Sequence, residues 1–226
     1  MRRITYLMML VFTTVHFAAC EDDSDTQGAH SEGQDKMIGD WKYNQPYLEF
    51  KYATDTIRFG NFAIAEKEMK QLFLEMATEK MGNYFTGIEF VSNQQLLVKA
   101  RNAAGKPLHI HAGYVKNENL MEVSLDKDDI AAFMRERAAM IPAISFNYLL
   151  SGKELTVYLD KTYVRTLWET APLKNKLSGL LADQMIPGFG EMEPTEQQKA
   201  LQGIQMQVSA ILNNIQTLKI GFVLTK

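Results

Sequence analysis

Leu108-His109-Ile110-His111-Ala112-Gly113-Tyr114 alternates apolar and polar side chains, and Met121-Glu122-Val123-Ser124-Leu125 repeats the pattern after a polar turn at 116–119. Period-two alternation places one set of side chains on each face of a strand, so both segments read as strands with one buried face. Working outward, Ile88 and Phe90 alternate, as do Leu96, Val98 and Ala100, and Asn102-Ala103-Ala104-Gly105 makes a turn. Downstream, Ile144, Phe146, Tyr148 and Leu150 form another strand. Ser151-Gly152-Lys153 turns it back on Leu155, Val157 and Leu159. The chain ends on Leu218, Ile220, Phe222 and Leu224. Seven to nine strands in consecutive hairpins predict a mainly β fold with helical insertions. The sheet is an antiparallel barrel or is strongly curled, with the last strand pairing with the first strand around Trp41.

Four segments switch to helical period, near 63–81, 127–141, 161–185 and 195–215. The first carries Ala65, Met69, Leu72, Phe73 and Met76 as one stripe and stops at Gly82-Asn83. The second starts at Asp126 and the Asp128-Asp129 pair, where acids suit a helix N-terminus, and carries Ile130, Phe133 and Met134. The third is interrupted at Pro172, and Thr195 through Gln198 reads as a capping box for the fourth. Near the start, Gly39 to Tyr43 reads as a short strand, Pro46 as a break, and Tyr47-Leu48-Glu49-Phe50 as another extended segment.

The chain of 226 residues has a formal charge of −3. The imbalance sits in residues 20–36, where Glu21, Asp22, Asp23, Asp25, Glu32 and Asp35 face only Lys36. From Met37 onward acids and bases balance, and without a basic cluster the domain at 37–226 lacks the electrostatic footprint of nucleic-acid binding. Residues 21–36 contain no large apolar side chain and read as a disordered acidic tether.

Ahead of the tether, Arg2 and Arg3 precede an apolar stretch from Ile4 to Phe17, and Ala18-Ala19 precede Cys20. This is the anatomy of a secretory signal peptide over residues 1–19. The stretch is too short for a membrane span, which takes roughly 20 apolar residues. The run Phe17-Ala18-Ala19-Cys20 resembles a bacterial lipobox, which implies cleavage after Ala19 and acylation of Cys20. The membrane, reached through lipid on Cys20, is then the first expected partner. A protein partner is not indicated. Cys20 is the single cysteine, so no internal disulfide forms. The acids that follow suit a solvated spacer, and they also resemble the tract that sends some lipoproteins to the cell surface. The expected location is the outer membrane, with surface display as a further expectation.

Gly39-Asp40-Trp41 at the head of the first strand resembles the Gly-x-Trp that opens lipocalin and calycin barrels. Together with Lys42-Tyr43, Pro46, the lipobox and the tether, the chain resembles lipocalin-like (calycin-type) bacterial lipoproteins of unassigned function. The resemblance covers 37–160 and the last strand. The helices at 63–81 and 160–215 depart from a minimal lipocalin. It implies a β-barrel in which Trp41 packs across a closed end.

Chemistry-bearing constellations are few. His109 and His111 share a strand face, and Glu122 lies on the next strand. A catalytic zinc needs three protein ligands, whereas a solvent-facing polar strand face explains the pair without metal. No Gly-x-Ser-x-Gly elbow or phosphate loop is present, and Asp128-Asp129 suit a helix start. The sequence therefore predicts no catalytic residue, metal or cofactor, and a non-enzymatic domain. Ile88, Phe90, Val98, Ile110, Tyr114, Phe146 and Tyr148 are the candidate ligand-binding residues, lining a cavity for a small apolar or amphipathic ligand. The same residues suit a filled core, in which case the domain is a surface structural or interaction protein.

Overall fold

The computed structural model describes residues 36–60, 62–102, 104–129 and 143–226. The signal segment, Cys20 and most of the acidic tether lie outside the described residues, as does most of the expected helix at 127–141. Its first turn, Lys127–Asp129, is helical.

Eight antiparallel strands close into a barrel. They are β1 (Gly39–Tyr52), β4 (Phe85–Phe90), β5 (Gln95–Arg101), β6 (Pro107–Asn117), β7 (Leu120–Leu125), β8 (Ile144–Ser151), β9 (Glu154–Asp160) and β10 (Ile215–Thr225). Each barrel strand pairs with the next in the chain, and β1 closes the ring between β4 and β10. The Ala53 N–H donates to the Asn214 carbonyl (2.9 Å) at one limit of the β1–β10 seam. At the other limit Lys226 Nζ donates to the Lys36 carbonyl (2.8 Å). The mainly β barrel with helical insertions expected from the alternating runs is the fold observed, and the last strand is its closing element.

By packing, the chain forms two compact units, one of residues 36–45, 80–158 and 222–226, the other of 46–79 and 159–221. The first holds the core of Met37, Trp41, Phe90, Leu96, Tyr114, Met121, Leu155 and Leu224, with Ile88, Ala112, Val123 and Val157. The second contains the β2–β3 hairpin (Thr56–Phe59 and Phe62–Ala65) and helices α1 (Glu66–Tyr84), α2 (Lys161–Glu169), α3 (Ala171–Met185) and α4 (Pro194–Asn214). Most of α1 falls in that unit, and its end, 80–84, in the other. The core of the second unit gathers Phe59, Leu181, Ala182 and Ile204. The Trp168 indole N–H donates to Ser209 Oγ (2.9 Å), tying α2 to α4.

Several local expectations are corrected. The 63–81 periodicity starts too early, because Phe62–Ala65 is β3, laddered to β2. Helix α1 then runs through Gly82 and Asn83 to Tyr84, where β4 follows at once, so the Gly-Asn pair does not stop it. Pro46 does not break β1. The β1–β4 ladder covers only Gly39–Lys42, so beyond it a residue without an N–H costs no bond to β4. Helix α4 begins at Pro194 with Glu193 as N-cap, upstream of Thr195, since proline's fixed φ suits a first helical position. Gln197 Nε2, in the first turn of α4, donates to the carbonyls of Phe189 (3.1 Å) and Met192 (3.0 Å). The 161–185 segment is two helices, with Thr170 between them and Pro172 in the first turn of α3. Asp160 caps α2 by accepting from the Tyr163 N–H (2.8 Å).

Glu66 is the electrostatic anchor at the start of α1. It accepts from Lys70 (2.8 Å) and from the Tyr52 backbone N–H (2.9 Å), with Lys51 at 3.3 Å. Lys70 first, then the Tyr52 N–H, lower its carboxyl from 4.5 to about 2. A depressed carboxylate contributes stability above its unfolded pKa and loses it as pH falls through the folded one. Glu66→Gln is expected to cost on the order of 1–3 kcal/mol at pH 7, discounted for partial solvent screening. The gap from wild type closes between about pH 4.5 and pH 2, as urea melts across that range will read. A gap that stays constant with pH would assign the cost to packing instead.

The closing strand yields a second test. Leu218, Ile220 and Leu224 are buried and Phe222 half-buried. Each full burial is worth roughly 1.5–3 kcal/mol, so removing residues 217–226 takes away an amount comparable with a domain's stability of about 5–15 kcal/mol. The truncated chain is expected to aggregate or be degraded. A soluble product with a cooperative melt would show that β10 is peripheral.

Candidate functional site

The interior of the barrel changes character along its strands. On β5 and β6, the facing pair Leu96–Ala112 is buried, whereas Val98–Ile110 and Ala100–Leu108, further along, are half-buried. On β4, Phe90 and Ile88 are buried and Phe85 is half-buried. On β1, Trp41 is buried and Tyr43 half-buried. Cross-strand register puts Phe85 opposite Ala100 and Ala100 opposite Leu108. The Tyr43 ring meets Phe85 edge-on with centroids 5.7 Å apart, and Phe85 lies 4.7 Å from Phe222. A half-buried apolar belt therefore crosses five strands: Phe222, Tyr43, Phe85, Ala100 and Leu108.

The sealed part of the interior is organised around Trp41, which is 0% exposed. Its indole N–H donates to the Met37 carbonyl (2.6 Å), and the Lys226 ammonium lies 4.9 Å from the ring centroid. Gly39, two residues before, adopts φ +123°, open mainly to glycine, and Gly87 adopts φ +153°. A Cβ on Gly87 would lie 2.1 Å from the Trp41 carbonyl oxygen. Gly87 faces Lys42 across β1–β4 at a point where the β4–β5 register shifts, so the bulge carries two backbones past each other. Both glycines are thus demanded by geometry around the tryptophan.

Six of the seven candidate ligand residues belong to one core cluster, in which Val98, Phe146 and Tyr148 are partly buried. Ile88, Phe90 and Tyr114 lie in the sealed core, where Phe90 and Tyr114 pack edge to face at 5.2 Å. The Tyr114 hydroxyl donates to the Ser92 carbonyl (2.9 Å). Phe146 faces Met121 across β7–β8. The Tyr148 hydroxyl donates to the Glu118 carbonyl (2.7 Å) in the β6–β7 turn. Val98 and Ile110 face each other across β5–β6, next to the belt pair Ala100–Leu108. Tyr43, Phe85 and Phe222 are not among the seven. The signal available was the i,i+2 spacing from Trp41 to Tyr43, which places both side chains on one face of β1.

His109 and His111 are exposed on the outer face of β6. His111 Nδ1 lies 2.7 Å from Asp129 Oδ2, and the His111 backbone N–H donates to the same oxygen (2.8 Å). These contacts, the backbone one first, hold the Asp129 carboxyl below its usual range. Glu122 faces Val115, four residues along β6 from His111. Asp126 Oδ1 accepts from the N–H groups of Asp128 (2.9 Å) and Asp129 (3.1 Å), so these acids shape a helix start. Outside, Lys99 bridges Asp40 (3.0 Å) and Glu89 (2.7 Å), two acids that face each other across β1–β4. Those carboxylates raise the Lys99 pKa, Glu89 first.

Comparisons with protein-family models, curated proteins and solved structures found no match.

Gly87→Ala is expected to cost about 3 kcal/mol or more, since a methyl group there must displace backbone. Gly105→Ala, at φ +75° with open space around it, should cost only the smaller strain of its conformation. Thermal melts of the two variants test the close approach. Equal losses would show that Gly87 is needed for its φ alone.

Proposed function

We propose that this chain is a lipid-anchored protein of the bacterial cell envelope whose lipocalin-like barrel binds a small apolar or amphipathic ligand. The half-buried belt inside the barrel is the observation that carries the ligand reading. Apart from the Tyr43 phenol its side chains are hydrocarbon and line the interior, yet they remain partly accessible, while those further along the same strands are sealed. Small-molecule sites share this make-up of apolar lining with few polar groups. The calycin-type assignment is supported by Gly39-Asp40-Trp41 at the head of β1 and by eight strands joined in up-and-down order. Fold likeness alone carries no ligand, so the belt bears that weight.

The anchor and the address rest on sequence. Phe17-Ala18-Ala19-Cys20 behind an apolar stretch supports lipidation at Cys20, and the acids after it support outer-membrane placement with display at the surface. A filled barrel serving as a surface structural or interaction protein is the second reading. It is favoured by the fully buried Trp41, Phe90, Met121, Leu155 and Leu224, which fill much of the interior.

Two measurements test these readings. Cys20→Ala is expected to abolish labelling by an alkyne fatty acid and release the protein from the membrane fraction. Persistent labelling would place the lipid elsewhere. Native mass spectrometry of the purified mature protein should show a non-covalent adduct beyond the covalent acyl chains, extractable as lipid. Substituting Ala100 and Leu108 by Glu should remove that adduct. A protein that carries no adduct and takes up none when incubated with lipid extract favours the filled barrel.

A further inference from the structure

The Tyr43 hydroxyl is buried, and no hydrogen-bond partner meets it among the described residues. Burying a hydroxyl without a partner is costly, so orphaned groups of this kind are rare in folded proteins. The other tyrosines of this core cluster do not share this state: Tyr114 and Tyr148 donate to the Ser92 and Glu118 carbonyls. The place of Tyr43 is also distinct. It is the phenol of the half-buried belt, set against Phe85, which in turn packs on Phe222, and every other side chain of the belt is hydrocarbon.

We propose that Tyr43 is the specificity-determining residue of the barrel site, and that its hydroxyl pairs with the uncharged oxygen head of an amphipathic ligand whose apolar chain lies on the belt. This inference rests on the ligand reading above and names the chemistry of that ligand. The head is a hydroxyl, ester or amide. Burial pushes the Tyr43 phenol above its usual pKa, which keeps it protonated and marks surroundings that disfavour charge. The Lys226 ammonium, beside the sealed core, is engaged over Trp41 and with the Lys36 carbonyl. A phenol both donates and accepts, so it serves an alcohol or a carbonyl head equally well.

The test uses the mature lipidated protein in nanodiscs, wild type beside Tyr43→Phe, so that partition of probe into the bilayer is the same for both. The probes are 1-decanol, decane and decanoate, and the concentration dependence of the melting temperature gives apparent affinities. Decanol should bind wild type about three- to tenfold more tightly than it binds Tyr43→Phe, the size of one neutral hydrogen bond. Decane should bind both alike. Without ligand, Tyr43→Phe should melt at or above the wild-type temperature, by about 2–4 °C, because an unpaired buried hydroxyl has been removed.

A variant that melts lower without ligand would show that the hydroxyl has a structural partner, and would overturn the inference. Equal decanol binding by the two proteins would overturn it while leaving the ligand reading intact. Stronger binding of decanoate than of decanol would overturn the uncharged head. No melting shift with any probe in wild type would remove the ligand reading itself, and this inference with it.

Discussion

Two backbones pass each other at Gly87 more closely than any side chain allows, and the arrangement of the barrel follows from that approach. The Trp41 carbonyl occupies the space a Cβ would take. Trp41 can therefore seat its ring fully inside the core while β1 stays laddered to β4. The same bulge ends the ladder at Lys42, after which β1 runs on without β4 beside it. Tyr43, the next inward residue, then meets Phe85 through ring contact instead of strand register. Pro46 is tolerated for the same reason.

Closure depends on the last strand, and the strand ends are pinned by lysine. Lys226 donates its backbone N–H to the Lys153 carbonyl and its ammonium to the Lys36 carbonyl, and it sits over the Trp41 ring. One terminal residue thus ties the β8–β9 turn to the start of β1. Because β1 and β10 stand far apart in the sequence, this seam closes a longer loop than any hairpin of the barrel and carries more closure entropy. Burial of Leu218, Ile220 and Leu224 offsets that cost.

Strand alternation was legible because the barrel has an inside and an outside, so each of Leu96, Val98, Ala100 and Leu108, Ile110, Ala112 kept its face. The partnership of β10 with β1 was legible too, since a clean apolar alternation at a chain end needs a covered face. Boundaries governed by tertiary contact were not. Phe62–Ala65 fits a helical stripe and becomes a strand only because Thr56–Phe59 lies beside it. Gly82-Asn83 reads as a stop, yet the chain needs helical residues up to Tyr84 to deliver Phe85 into β4. Thr195 offers a capping hydroxyl, but proline one residue earlier has already set the helical φ. The candidate site was legible only as a face. Alternation says which side chains point inward, while their depth depends on where each strand begins and what lies across it. That is why Tyr114 and Tyr148, equally inward by pattern, are spent on backbone carbonyls and Tyr43 is not.

The belt and the sealed core differ in how completely the fold covers them. Side chains around Trp41 are close-packed, and truncating them leaves a cavity whose cost adds to lost burial. The belt is half-covered, so the same truncation there forfeits less packing and the fold can tolerate change in it. A purely hydrocarbon belt would discriminate ligands weakly, about 1–3 kcal/mol for each methylene that fits or fails to fit. A buried hydroxyl in such a belt adds a different kind of selection, because a ligand without a matching oxygen leaves it unpaired in dry surroundings. Tyr43 is that hydroxyl. A tyrosine where phenylalanine would pack as well follows if, as proposed, the barrel distinguishes a polar head from a hydrocarbon end.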